Sequence, residues 1–166
     1  MNIKKLTQLA LFTAIALAIF IVELSIPNLI PIPGVKLGLA NIVTVYVVYH
    51  YRAKEVMLIV LTRVLLASFF TGQIVSVLYS LAGSMLCLAG LLLVRTIITE
   101  KHLWVCSILG AVLHNIGQVL VAVMLTGTIA IVAYLPVLIA SGCIAGSCTG
   151  ICAQIIVSRS RRLSLN

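Results

Sequence analysis

The stretch 74–96, IVSVLYSLAGSMLCLAGLLLVRT, contains no charged residue until Arg95. A helix needs about 20 apolar residues to cross the hydrocarbon of a bilayer, and this run supplies them. The rest of the chain has the same character. Of its 166 residues 63% are hydrophobic and 8% charged, with a mean hydropathy of +1.28. Soluble domains carry about 25% charged residues. The composition is that of an integral membrane protein.

Working outward, apolar runs divided by charged or turn residues predict six spans in a single membrane domain, 1–166. They cover roughly 6–24, 37–51, 55–71, 74–96, 103–125 and 135–157. The second is short for a bilayer, so it tilts little or starts within the preceding loop. The region 126–136, TGTIAIVAYLP, reads either as an outer loop or as the first turns of the last helix, with Pro136 at a break or a helix start. Leu6 to about Val22 is long enough to span, and no small-residue cleavage site follows it, so it reads as a span and not a signal peptide.

Charge orients these spans. Eleven Lys and Arg face three Glu, and there is no Asp. A net charge of +8 would suit nucleic acid only if it were gathered on a solvated face, whereas these residues sit at the ends of apolar runs. With six spans, Lys4, Lys5, Arg52, Lys54, Arg95, Lys101, Arg159, Arg161 and Arg162 all fall on one side, and the opposite connections hold only Lys36. The positive-inside rule then places both termini in the cytoplasm. Five or seven spans would scatter the same charges over both faces.

Polar residues inside the spans are the candidates for function, because a buried polar group without a partner is costly in lipid. Arg63 lies near the middle of the third span. His114, Asn115 and Gln118 run from the middle of the fifth into its outer half, and Asn41 is about one turn from the outer end of the second. Glu23, Lys36 and Gln73 stand at outer boundaries. One reading is an internal network in which Arg63 pairs with Glu23. The other is an outward-facing pocket for an anionic or strongly hydrogen-bonding solute, lined by Arg63, His114, Asn115, Gln118, Asn41, Lys36 and Glu23. The connection Ser25-IPNLIPIPGV-Lys36 holds three of the four prolines and reads as a stiff extended loop, either a plain connector or a lid.

Small residues repeat every fourth position on two helices. Ala10, Ala14 and Ala18 form a smooth stripe on the first span, and Gly142, Gly146 and Gly150 do so on the sixth. Such stripes mark close helix contacts, within the bundle or with another protein. Cys87, Cys106, Cys143, Cys148 and Cys152 lie in apolar segments with no CxxC pair and no metal-like His spacing, so they read as small packing residues and no metal is expected.

PGVKLGLANIVTVY (33–46), TRVLLASFFTG (62–72) and GAVLHNIGQ (110–118) resemble the Gx transporter family, also called heptaprenyl diphosphate synthase component I. That family is similar to the substrate-binding S components of energy-coupling factor transporters. The resemblance implies an all-α bundle of six transmembrane helices in a bacterial plasma membrane, with no cofactor. It also implies that Ala10, Ala14 and Ala18 dock on a transmembrane coupling protein worked by two ATPases, and that the Pro-rich loop caps the pocket. The chain has no GxxxxGK[ST] loop, so ATP would be hydrolysed by those partners. Isoprenyl diphosphate synthases hold magnesium with aspartate-rich motifs, and a chain without Asp is not expected to be the enzyme itself. A non-catalytic subunit serving isoprenoid metabolism and a scaffold within a larger complex remain the alternatives.

Overall fold

The computed structural model describes residues 2–25, 38–72 and 74–164. The Pro-rich loop 26–35, Lys36 and Gln73 lie outside the described residues. Six α-helices follow one another: α1 (Ile3–Ser25), α2 (Asn41–His50), α3 (Ala53–Thr71), α4 (Ile74–Val94), α5 (Leu103–Thr126) and α6 (Leu135–Ser164). Short 3-10 turns at Glu100–His102 and Ile129–Tyr134 precede α5 and α6. The second of these resolves the region 126–136, and Pro136 takes the second position of α6, where its missing N–H costs nothing. The described residues contain no strand, and the chain is all-α.

Four stretches, Ile3–Ser25, Val75–Val94, Leu103–Thr126 and Ile129–Arg159, are long and apolar enough to cross a membrane, so this is a membrane protein. The other two helices fall short for different reasons. Every 18-residue window of α3 includes Lys54, Glu55 and Arg63. The second helix is the larger departure from expectation. It covers ten residues instead of 37–51, a rise of about 15 Å where the hydrocarbon is about 30 Å thick.

The position of α2 accounts for its sequence. Its run NIVTVYVVYH buries Val43, Thr44, Val45, Val47 and Val48, which point in all directions around the axis. The remaining helices pack in the order α1, α3, α4, α5, α6, forming an arc, and α2 touches every one of them from inside. The core is therefore built on α2, with Leu9, Val56, Leu91, Leu103 and Val157 closing around it. Arg95, from the end of α4, donates through Nη1 to the carbonyls of Val48 at 2.9 Å and Tyr51 at 3.3 Å. It thereby satisfies carbonyls that the last turn of α2 leaves open.

The closest helix pair is α5 with α6, and the glycine stripe lies between them. A Cβ added at Gly146 would lie 2.7 Å from the Cα of Ile108, and one at Gly150 would lie 2.5 Å from the Cα of Trp104. These backbones meet without intervening side chains, the close approach that small residues permit in lipid. Ser107 Oγ and Thr149 Oγ1 hydrogen-bond across the seam at 2.9 Å. Gln154 of α6 caps the start of α5, accepting from Leu103 N at 2.8 Å and donating to the Glu100 carbonyl at 2.9 Å.

The alanine stripe behaves differently. Leu9, Thr13, Ala16 and Glu23 form the buried face of α1, and Ala10, Ala14 and Ala18 are exposed. The cysteines divide as well. Cys87 and Cys106 are buried, but Cys148 and Cys152 are exposed on α6 with Ile144 and Ile155, so they do not pack in the core. On a lipid-facing surface a small apolar thiol needs no packing partner.

The seam makes a direct claim about stability. Gly146→Ala and Gly150→Ala should each lower the thermal midpoint of the purified protein, by the equivalent of about 1–3 kcal/mol, because a methyl group would force backbone against backbone. Ile144→Ala, on the exposed face of the same helix, should stay within about 0.5 kcal/mol of the parent. Equal midpoints for all three variants would contradict the seam.

Candidate functional site

Because α2 is short, the bundle axis beyond its N-terminus is left to side chains. A cavity of about 90 Å³ lies there. All six helices line it: Phe20 and Glu23 from α1, Asn41 with Gly38 and Ala40 at the start of α2, and Arg63, Val64 and Ala67 from α3. Ser80 and Ser84 come from α4, Ala111, His114, Asn115 and Gln118 from α5, and Gly142, Ala145, Gly146 and Thr149 from α6. The lining runs from the middle of the bundle, at Arg63, Ser84, Ala111 and Thr149, toward the end that holds the C-terminus of α1 and the N-terminus of α2.

The start of α2 is held by Glu23. Its carboxylate accepts from Gly38 N at 2.6 Å and from Leu39 N at 3.0 Å. Gly38 has φ +67°, a conformation that a side chain would strain, and it turns the chain into the helix. The carboxylate thus satisfies two amides at a buried helix entrance and places negative charge at the positive end of the helix dipole.

Arg63 is 8% exposed, and its Nη1 donates to the Ala40 carbonyl at 3.2 Å. It forms no ion pair with Glu23, contrary to the internal pairing considered from sequence, because the backbone amides of Gly38 and Leu39 occupy that carboxylate. The guanidinium therefore retains donors at the cavity and, among the described residues, feels the Glu23 charge without pairing with it. A cation in this position favours an anionic counterpart.

The α5 residues are set by their neighbours. Asn115 donates through Nδ2 to the Leu138 carbonyl at 2.6 Å, tying α5 to the first turns of α6 and leaving its Oδ1 as an acceptor. Gly142 makes room for that amide, since a Cβ there would lie 2.8 Å from Nδ2. His114 sits against Gly83 of α4, where a Cβ would come within 2.8 Å of the His114 carbonyl and 3.0 Å of its ring.

Six of the seven residues proposed from sequence for solute binding, Glu23, Asn41, Arg63, His114, Asn115 and Gln118, line this cavity, and Lys36 lies outside the described residues. Sequence reasoning missed Ser80, Ser84 and Thr149. Ser80 and Ser84 are four apart, hence on one face of α4, at a depth matching the α5 polar group; that spacing was the available signal. Ser84 is 5% exposed, and its Oγ has no hydrogen-bond partner among the described residues. Among the described residues no three His, Cys, Asp or Glu side chains gather closely enough to hold a metal.

Substitution of Glu23 tests the entrance to α2. Glu23→Gln removes the charge assistance from both amide bonds and should destabilise the protein by about 1–3 kcal/mol in thermal unfolding. Glu23→Asp, too short to reach both amides without movement, should fall between Gln and the parent. A Gln variant as stable as the parent would show that the clamp contributes nothing.

A family model described as heptaprenyl diphosphate synthase component I matches residues 12–156. No curated protein matches the chain, and no solved structure does. The match spans most of the chain, which therefore belongs to that family.

Proposed function

We propose that this member of the heptaprenyl diphosphate synthase component I family is a solute-binding membrane subunit of an importer. In this reading all six helices cross the bacterial plasma membrane, both termini are cytoplasmic, and the cavity opens outward. One observation carries the proposal: Arg63, buried at the centre of the bundle, lines a cavity of about 90 Å³ and, among the described residues, forms no ion pair, Glu23 acting on it only through space. A purely structural arginine would be expected to end on a carboxylate or a full set of carbonyls.

The length of α2 fits the same reading. In lipid, a backbone can leave its helix only where protein or a water-filled cavity surrounds it. The ten residues of α2 begin at the cavity, where Gly38, Ala40 and Asn41 line it. The cluster of Lys and Arg at the opposite end of the spans supports the cytoplasmic placement.

Energy would come from elsewhere, since the chain has no phosphate-binding loop. The exposed stripe of Ala10, Ala14 and Ala18 supports docking of α1 on a membrane coupling protein carrying two ATPases, as S components of energy-coupling factor transporters do. The family description supports a second reading, in which the chain is a non-catalytic membrane partner of a soluble prenyl diphosphate synthase.

Affinity purification from native membranes separates the two. Recovery of a membrane coupling protein with two ATPases is the expected result; recovery of a prenyl synthase whose activity rises with this chain would replace it. Within the first reading, Ala14→Leu should abolish association while sparing solute binding, and Arg63→Ala should abolish uptake while sparing association. Normal uptake by the Arg63 variant would make the polar cluster structural.

A further inference from the structure

We infer that the cavity is built for a compact monoanion, a small carboxylate of about six non-hydrogen atoms, and not for a diphosphate or a large conjugated solute; this rests on reading the cavity as a solute site. Volume is the first ground. The cavity measures about 90 Å³. A buried water needs about 10–15 Å³ on this scale, so there is room for roughly half a dozen waters. Sites for drug-sized ligands are larger, about 300–1,000 Å³.

Charge is the second ground. Among the described residues the lining holds one permanent cation, Arg63, and one carboxylate, Glu23. Glu23 sits on the amides of Gly38 and Leu39, so its charge faces the α2 N-terminus, a partial charge of about +0.5. The guanidinium, which feels the Glu23 charge without pairing with it, keeps its donors for a ligand. It matches a single negative charge, whereas a diphosphate would bring further charges into a low-dielectric site and set them near Glu23. That excess would be uncompensated.

Hydrogen bonding is the third. An arginine fork matches the two oxygens of a carboxylate. Ser84 Oγ, buried in the same wall and without a partner, supplies a further donor. The amides of Asn41 and Gln118 can engage a hydroxyl or amide substituent, and Phe20, Val64 and Ala67 line the cavity for a short apolar portion.

The full chain in lipid nanodiscs should be titrated with acetate, lactate, inorganic phosphate, inorganic diphosphate and riboflavin, following both heat of binding and thermal midpoint. Lactate or acetate is expected to bind and raise the midpoint, and diphosphate and riboflavin are expected not to. Arg63→Lys should weaken carboxylate binding about tenfold by losing the fork, and Arg63→Ala by at least about thirtyfold. Should the alanine variant fail to fold, Ser84→Ala still tests the proposal. It should weaken binding about three- to tenfold. It should also leave the unliganded protein as stable or more so, because an unsatisfied buried hydroxyl is gone. A Ser84→Ala variant that binds like the parent, or is less stable without ligand, would count against it. Arg63-dependent binding of diphosphate or riboflavin in preference to the carboxylates overturns the ligand class and leaves the solute-site reading standing. Absence of binding by every probe also overturns the carboxylate assignment, while uptake by the Arg63→Ala variant decides separately whether the cavity is a solute site.

Discussion

The hydrogen bonds from Gly38 and Leu39 to the Glu23 carboxylate fix where α2 begins, and much of the molecule depends on that position. A helix entrance inside an apolar bundle leaves amides that need partners. Glu23, at the end of α1, satisfies two of them and sits beside the cavity this entrance leaves open. Had α2 continued outward by two turns, its side chains would fill the space that Arg63, Ser84 and the α5 amides now face. The same carboxylate bonds to backbone and not to Arg63, which feels its charge only through space. One interaction thus sets the length of the central helix, the cavity beyond it and the charge within it.

The two sides of the bundle are built on different terms. On one side, α5 and α6 meet backbone to backbone through Gly146 and Gly150, with Ser107, Thr149 and Gln154 bonded across the seam. Asn115 extends this tie to the cavity wall through the Leu138 carbonyl. On the other side, α1 packs chiefly on α3, contributes Glu23 and turns Ala10, Ala14 and Ala18 outward. This closely packed pair carries His114, Asn115, Gln118 and Thr149 of the polar wall. The helix that holds the α2 entrance also presents the surface proposed for a partner, so the alanine stripe and two residues of the cavity lining, Phe20 and Glu23, share one element.

Much of this was legible from residue types. Apolar runs located the helices, four of them long and apolar enough to cross a membrane, and polar residues grouped by depth picked out Glu23, Asn41, Arg63, His114, Asn115 and Gln118, which line one cavity, because lipid makes isolated polar groups costly wherever they sit. The serines of α4 escaped notice because a serine can satisfy itself on its own helix backbone, as Ser68 does on the Val64 carbonyl, and so raises no alarm in a sequence. The roles of individual charges were less visible. Arg95 reads as an orientation signal, yet its guanidinium also closes the C-terminus of α2, a role that depends on where α4 ends in space.

By itself the sequence determined that the chain is helical, membrane-embedded and polar at one common depth, since hydropathy and charge act on each residue whatever its neighbours. Tertiary structure decided which apolar run lies at the centre and how far it extends. NIVTVYVVYH has the composition of any other apolar span, and only its contacts with all five other helices show that it lies at the centre. It also decided between two stripes of small residues that look alike in sequence. The glycines turn inward to join α5 and α6 and the alanines turn outward, because a helix face is buried or exposed by what packs against it and not by its own periodicity.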